Sequence, residues 1–326
     1  MTRQERLLVT GGSGFIGTNL VGHFINHGFQ VTDLDIKPPR NPDHRHLWKM
    51  VDILDREKLI DVVQELAPQY VLHFAARTDL NERDNLGGYA ANIEGVCNVI
   101  DAIRATSSVQ RVVFASTQLV CKLGYSPAHE LDYCPDTLYG LSKMLGERIV
   151  RTADEFGATW CIVRPTSIWG PWFDVPYKNF FTAIARNMYF HPSGVRTLKQ
   201  WGFVLNSVYQ VQKLLEAPQE VIQKKVFYLA DFEPLELRKF ADMVQQIFGS
   251  RPIRTMPINL LKLLARAGDL VKKLGWHNPP LTSFRLQNIV TDELCDTTGL
   301  QSIVGKLPYT VEQGIKITVD WMRNNR

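Results

Sequence analysis

The chain has 326 residues, enough for one large hydrophobic core or two unequal ones. Its composition, 45% hydrophobic and 21% charged without a low-complexity tract, excludes a disordered or fibrous protein. A formal net charge of +4 with no dense run of Lys and Arg argues against nucleic acid as a partner, and no apolar stretch is long enough to span a bilayer.

Thr2-Arg3-Gln4-Glu5-Arg6 leads directly into an apolar run with no signal-peptide pattern, so a cytoplasmic location is expected. Leu7–Thr10 reads as a strand, and Ile16, Leu20 and Phe24 fall on one face of the helix that follows. Between them lies Thr10-Gly11-Gly12-Ser13-Gly14-Phe15-Ile16-Gly17. Glycines at Gly11, Gly14 and Gly17 allow a tight turn and a close approach of backbone N–H groups to a pyrophosphate. The helix then turns its positive end toward the phosphates. Gln30–Asp35 reads as the second strand, and Asp35 stands where a carboxylate accepts from an adenosine ribose. A carboxylate repels a 2′-phosphate, so NAD is expected over NADP, a preference that nearby Lys37 and Arg40 soften.

His44 and His46 look like a metal pair but fall in a polar stretch read as a solvated loop, and no metal is expected. Trp48–Asp52, Tyr70–Ala75, Arg111–Ser116 and Trp160–Arg164 read as further strands, with His73 a packed core imidazole. Amphipathic helices carry Leu59, Val62, Val63 and Leu66, then Val96, Val99, Ile100 and Ile103. This alternation predicts a doubly wound parallel sheet of the Rossmann type, covered on both faces.

Ser116-Thr117 falls at the carboxyl edge of that sheet, where such folds bind ligands. Tyr139 and Lys143 lie four residues apart, hence on one helical face. A free tyrosine ionises near pH ~10, and a neighbouring ammonium favours the phenolate, so the pair is read as a base for an alcohol, with Thr117 holding the substrate oxygen.

Beyond Arg164-Pro165 the regularity fades. Trp169-Gly170-Pro171-Trp172, Pro176 and Pro192-Ser193-Gly194 read as loops around a short helix near Phe180–Asn187. Val226–Ala230 reads as one more buried strand, and helices predominate from Leu235, closing with Val311–Arg323. The amphipathic stretch Ile258–Leu274 is read as a packing helix in preference to a membrane-surface one. Trp169 and Trp172 are read as core or interdomain packing, with stacking on a sugar or base as the alternative. Cys97, Cys121, Cys134, Cys161 and Cys295, odd in number and without a CxxC pair, read as reduced and mostly buried thiols. The domains expected are a dinucleotide-binding unit at 1–168, to which 203–231 returns, and a smaller, mostly helical substrate unit at 169–326.

These residues resemble an extended short-chain dehydrogenase/reductase of the NAD-dependent sugar-nucleotide epimerase/dehydratase kind. The resemblance spans nearly the full length. It rests on T-G-G-S-G-F-I-G, Asp35, Val51-Asp52-Ile53, His73-Phe74-Ala75-Ala76, Asn92-Ile93-Glu94-Gly95, Ser116-Thr117, Tyr139–Lys143 and Arg164-Pro165-Thr166, and more weakly on Leu300 to Trp321. It implies that Phe15 and Ile16 sit over the pyrophosphate, that Asp52 and Ile53 flank the adenine, and that Phe74, Ala75, Ala76 and Pro165 line the cofactor. Asn92 supports the strand ends, and Lys143 also holds the nicotinamide ribose. Thr78, Thr117, Ser167, Asn179, Arg196 and Lys199 fall where such enzymes bind a nucleotide sugar. A homodimer is implied, formed by helices near Leu86–Thr106 and Leu138–Phe156.

The chemistry implied is transient oxidation of a sugar hydroxyl at C4 by bound NAD, with inversion on return. Dehydratases of this kind carry an acid after the strand-end Thr; Gln118-Leu119 stands here, which argues for epimerisation over dehydration. Val120-Cys121-Lys122 and Asn206-Ser207 also depart from the pattern, a departure that bears on the substrate more than on the fold. A Cys121–His129 pair is left open. Two other readings stand beside the epimerase: a 3β-hydroxysteroid-type or other alcohol dehydrogenase, suggested by the apolar Leu260–Leu274 stretch, and a non-catalytic NAD-binding protein.

Overall fold

The computed structural model describes residues 4–80, 82–153, 155–174, 177–275, 279 and 281–325. Thr2, Arg3 and Pro176, named above, lie outside them.

The first half alternates as its apolar period requires. In order come β1 (Arg6–Thr10), α1 (Phe15–Asn26), β2 (Gln30–Asp35), β3 (Trp48–Met50), α2 (Arg56–Leu66), β4 (Tyr70–His73), α3 (Ala90–Arg104), β5 (Arg111–Ala115), α4 (Leu138–Ala153) and β6 (Thr159–Pro165). The second half holds β7 (Ile168–Trp169), α5 (Tyr177–Ala185), β8 (Phe190–Pro192), β9 (Leu198–Lys199), β10 (Gly202–Phe203), α6 (Val204–Glu216), α7 (Gln219–Ile222), β11 (Val226–Leu229), β12 (Leu235–Glu236) and α8 (Leu237–Phe248). It closes with β13 (Arg254–Met256), α9 (Ile258–Lys273), α10 (Ser283–Val290), α11 (Thr298–Val304) and α12 (Val311–Asn324).

Seven strands form one sheet in the order β11-β6-β5-β4-β1-β2-β3, with every neighbour parallel. Successive side chains of a strand point to opposite faces, so a sheet covered on both sides needs continuous apolar strands. Leu7 and Val9 accordingly pack with Leu20 and Phe24 of α1 and Val208 and Val211 of α6, while Leu8 packs with Leu59 of α2 and Val99 and Ile103 of α3. The order reverses at β1, which has β4 on one side and β2 on the other. That reversal opens a crevice at the carboxyl edge. A third, aromatic cluster built on Trp169, Phe181, Phe203 and Phe240 fills the space between the sheet and α5, α8 and α12.

Several boundaries differ from the sequence reading. β3 stops at Met50 instead of Asp52, because the Asp52 carboxylate turns back to accept from Leu54 N at 2.9 Å. The helix expected at Phe180–Asn187 runs Tyr177–Ala185, with Asn187 left-handed at φ 60°. Trp169 and Pro192, read as loop, lie in two short parallel pairings, β7 with β10 and β8 with β13. Trp169 stacks on Phe181 and Trp172 packs on Trp321, so both serve packing. His44 is buried beside Gly22 of α1 and bonded to Asn41, whereas His46 is exposed; the solvated-loop reading holds only for the second. Among the described residues no group of three or more His, Cys, Asp or Glu is placed to hold a metal.

α9 packs on α10 through one narrow side. Leu261 and Ala265 pack against Leu286 of α10, and Gly268 abuts the Leu281 carbonyl. The leucines that made the stretch apolar lie on the other side, in solvent. No described helix is long and apolar enough to cross a membrane.

Candidate active site

The crevice is built first by its glycine turn. Gly11 is left-handed (φ 77°), and a Cβ there would stand 2.5 Å from Ala75 N. A Cβ on Gly17 would strike the Gly11 carbonyl. Only glycine lets α1 begin this close to β1 and β4. Gly14 caps α1 without a side-chain hydrogen bond, and the first turn of α1 carries no acid. Its backbone N–H groups are therefore available to an anion, as phosphate binding demands.

Asp35 borders this turn. Its carboxylate accepts from Ser13 N at 3.2 Å and Lys37 N at 3.0 Å, and burial raises its pKa against those bonds. Phe74 N donates to Thr10 O at 2.9 Å, which carries Phe74, Ala75 and Ala76 beside the turn from β4. Asn92 is buried, accepting from Arg77 N and donating to Arg77 O and Ser142 Oγ, each at 2.9 Å. One amide thus ties the loop after β4 to α4. Ile53 is buried against Gly95, Asp52 is exposed, and Pro165 ends β6 beside Leu229.

The residues read as alcohol-activating meet at the same edge. Thr117 follows β5 and caps the turn Gln118–Val120, its Oγ1 accepting from Leu119 N at 3.2 Å. A Cβ on Gly140 would collide with the Leu119 carbonyl, so glycine next to Tyr139 is what lets α4 touch that turn. Tyr139 is buried with its hydroxyl close enough to the Thr117 side chain to feel it electrostatically, and Lys143 is buried one turn along.

The spacing predicts a phenol acidified by Lys143, but burial prevails. It pushes Tyr139 up to about 12, with the nearby Thr117 side chain opposing and Tyr89 adding to the rise. Burial also pushes Lys143 down to about 8, opposed by Glu147. Glu147 in turn makes a two-pronged ion pair with Arg164 of β6, Nε to Oε1 at 2.9 Å and Nη2 to Oε2 at 2.8 Å, with both side chains essentially unexposed. His73 is the packed imidazole expected, bonded through Nδ1 to Thr10 Oγ1 at 2.8 Å. Its Nε2 and Ser116 Oγ lack hydrogen-bond partners and border a small cavity shared with Lys143 and Glu147.

Of the expected substrate residues, Ser167 and Lys199 meet on one carboxylate, Glu293, beside the Thr117 turn, whereas Arg196 pairs with Glu236 at the surface. Ser167 is buried, accepting from Tyr177 Oη at 2.7 Å and donating to Glu293 at 2.6 Å. Glu293 comes from a segment 175 residues beyond Gln118, whose amide it also accepts, together with Trp201 Nε1. Lys199 is buried, donating to Thr291 O at 2.7 Å at the end of α10 and to Glu293 at 3.4 Å. Its ammonium is held inside the protein wall instead of facing the crevice. Arg196 lies at the surface, 75% exposed, against Glu236. Thr78 is exposed and Asn179 half-buried on α5. Cys121 Sγ donates to Asp132 O while His129 accepts from Leu131 N, so the pair left open has other partners. All five cysteines are free, Cys121 and Cys161 buried and Cys97 exposed.

Sequence reasoning passed over Asp33. It lies fully buried under the glycine turn, one oxygen accepting from Ser13 Oγ at 3.0 Å and the other unpartnered. A polar residue at an inward position of an apolar strand was the available signal. Burial pushes its pKa up to about 7. A raised carboxyl keeps its proton longer folded than unfolded, so its stabilisation is full below the ordinary value of 3.8 and is lost as pH climbs through about 7. Asp33→Asn is expected to remove up to about 4 kcal/mol of stability change between pH ~4 and ~8, read by urea unfolding at both pH values. Asp231, likewise raised to about 7 by burial, keeps the remaining slope; a variant slope equal to the wild type contradicts the assignment.

A doubly wound sheet with a glycine cradle at its first strand–helix turn, and a Tyr–Lys pair at its carboxyl edge, defines an extended short-chain dehydrogenase/reductase. Residues 7–229, more than half the chain, match the NAD dependent epimerase/dehydratase family, and the protein belongs to that family, whose cofactor is NAD. A 3-beta-hydroxysteroid dehydrogenase of Mycolicibacterium neoaurum is 28% identical over 296 residues, 83% of this chain and 76% of its own. An Escherichia coli O157:H7 N-acetyl-alpha-D-glucosaminyl-diphospho-ditrans,octacis-undecaprenol 4-epimerase is 23% identical, covering 97% of this chain and 95% of its own. The fold is shared with a UDP-glucose 4-epimerase of Thermotoga maritima solved with UDP-glucose, at TM-score 0.75 and 20% identity over 98% of this chain and 99% of that one.

Proposed function

We propose that this enzyme epimerises the 4-hydroxyl of a sugar carried on a diphosphate, with Tyr139 as the base. Residues 1–168 with 203–231 are taken as the dinucleotide half and 169–326 as the substrate half. One observation carries the reading: Thr117, Tyr139 and Lys143 are all buried at the carboxyl edge of the sheet, with Tyr139 and Lys143 one turn apart on the same face of α4. The cradle fits a dinucleotide, since Gly11 and Gly17 allow the close turn into α1, whose first turn carries no acid to repel an anion. Gly11 to Gly17 would hold the pyrophosphate, Asp35 the adenosine ribose, and Lys143 the nicotinamide ribose. Bound NAD supplies a hydride acceptor that can return the hydride to either face, and a positive ring that favours the phenolate.

Thr117 and Tyr139 bracket the substrate hydroxyl; Tyr139 takes its proton and later returns it to the opposite-face alcohol. Lys143 compensates the phenolate charge in a dry site, where such pairing is strong. Gln118 offers an amide where elimination needs an acid, so the carbon skeleton keeps its hydroxyl.

A second reading, net oxidation of a 3β-hydroxysteroid-type alcohol, is favoured by a specific observation. Lys199 is internal and Arg196 lies on the surface, so neither expected cation serves a diphosphate. Product analysis separates the two, using UDP-sugars, a polyprenyl-diphosphate sugar and a 3β-hydroxysteroid with added NAD. Epimer without accumulated NADH supports the first; NADH formed in step with ketosteroid supports the second. No conversion of any of them contradicts both.

A further inference from the structure

We propose that α9 docks this protein onto an anionic membrane surface. Leu260, Leu263, Leu264, Leu270 and Leu274 are all exposed, Leu263 by 63%, Leu270 by 59% and Leu274 by 78%. At 100° per residue, their offsets of three, four, ten and fourteen from Leu260 place them on one strip of the helix surface. Phe284, at the start of α10 and 52% exposed, adds an aromatic ring on the same helical hairpin. A folded protein seldom leaves a contiguous leucine strip in water, and single exposed leucines need no such account. The opposite side of α9 is already occupied by α10 through Leu261 and Ala265, so the strip is not left over from internal packing.

Charge selects the occupant. Lys262, Arg266 and Lys273 project together on the flank between the leucine strip and the far side of the helix, all exposed and none in an ion pair among the described residues. Asp269, the one acid of α9, is turned inward to accept from Ser283 N at 3.1 Å. Leucines on one side and cations beside them are what a helix lying in the headgroup layer needs: apolar side chains enter the acyl boundary and ammonium groups meet lipid phosphates. An apolar protein partner would satisfy the leucines and leave the cations unanswered.

The surface is also joined to the crevice. Lys199 caps the end of α10 through Thr291 O, and Glu293, three residues beyond α10, reaches Gln118 beside Thr117. A docked α9 is thus tied through α10 and the segment after it to the Gln118 turn of the site. The docking itself requires neither substrate reading and is measured without catalysis.

The test is flotation of the purified full chain with vesicles of phosphatidylcholine alone and with about one third phosphatidylglycerol. The expected result is association with the anionic vesicles, weakened as salt is raised. Leu263→Glu with Leu270→Glu is expected to weaken it at least about tenfold, because each leucine carries burial energy near one decade of affinity. Lys262→Glu with Arg266→Glu should remove the preference for anionic lipid. Both pairs are exposed, so the melting temperature should not move; a moved one would be replaced by the milder Leu263→Ser with Leu270→Ser, for which the same loss is expected. Absence of wild-type binding to either vesicle overturns the proposal, as does binding that the leucine variants leave unchanged. So does a leucine variant that dissociates an oligomer of a wild type unable to bind vesicles, which would make a second copy the occupant.

Discussion

Tyr139→Phe is expected to lower kcat by about 10²–10⁴-fold, the range carried by a positioned general acid–base group. The ring keeps its buried place between Tyr89 and Thr117, and only the hydroxyl is lost. The amount of NAD retained should not change, because the glycine turn and Asp35 are untouched. Thr117→Val removes the partner hydroxyl and should slow the reaction by a smaller factor, leaving the base in place. Steady-state rates on whichever substrate responds, with released NAD measured in parallel, check both. A phenylalanine variant of full activity would remove Tyr139 from the chemistry, and one that loses NAD would make its role structural.

Glu147→Gln has the largest expected effect on stability. Arg164 and Glu147 are both buried between β6 and α4, and Tyr133 Oη donates to the same carboxylate at 2.8 Å. Neutralising one partner leaves the other charge uncompensated in a dry environment, at a cost of about 3–5 kcal/mol. Replacing both residues by Met should cost less than removing the carboxylate alone, since no orphan charge remains. The same carboxylate supports the protonated form of Lys143 against burial. Its loss should therefore move the alkaline limb of the kcat profile to lower pH, a shift that simple destabilisation would not produce. Urea unfolding and pH–rate profiles of the single and double variants read the two effects separately.

What could be read from the sequence was local. The strand, glycine turn and helix from Leu7 to Phe24 are contiguous, and Gly11, Gly14 and Gly17 answer contacts within the turn or with the loop after β4. Tyr139 and Lys143 were legible because a helix repeats its face every four residues, and Glu147 continues that face by one more turn. The pKa balance was not legible, because it depends on how completely the neighbouring chain excludes water from Tyr139. Glu293 reaches Gln118 and Ser167 from far along the sequence, and no spacing rule connects them. Lys199 looked like a substrate cation for the same reason: its partners at Thr291 and Glu293 belong to a distant helix end. The apolar period of α9 marked a helix correctly but could not say which side faces the protein, since two apolar sectors share it. Pairings as short as β7 with β10 have too few residues to show an alternating pattern.

The most direct examination is a crystal structure of the protein with NAD and substrate bound. The pyrophosphate should lie on the Gly11–Gly17 turn, and Lys143 should reach the nicotinamide ribose. The substrate hydroxyl should sit against Tyr139 and Thr117, with its carbon within about 3–3.5 Å of the nicotinamide. A dinucleotide bound with its ring remote from the Tyr139 hydroxyl, or bound outside the glycine turn, would contradict the account.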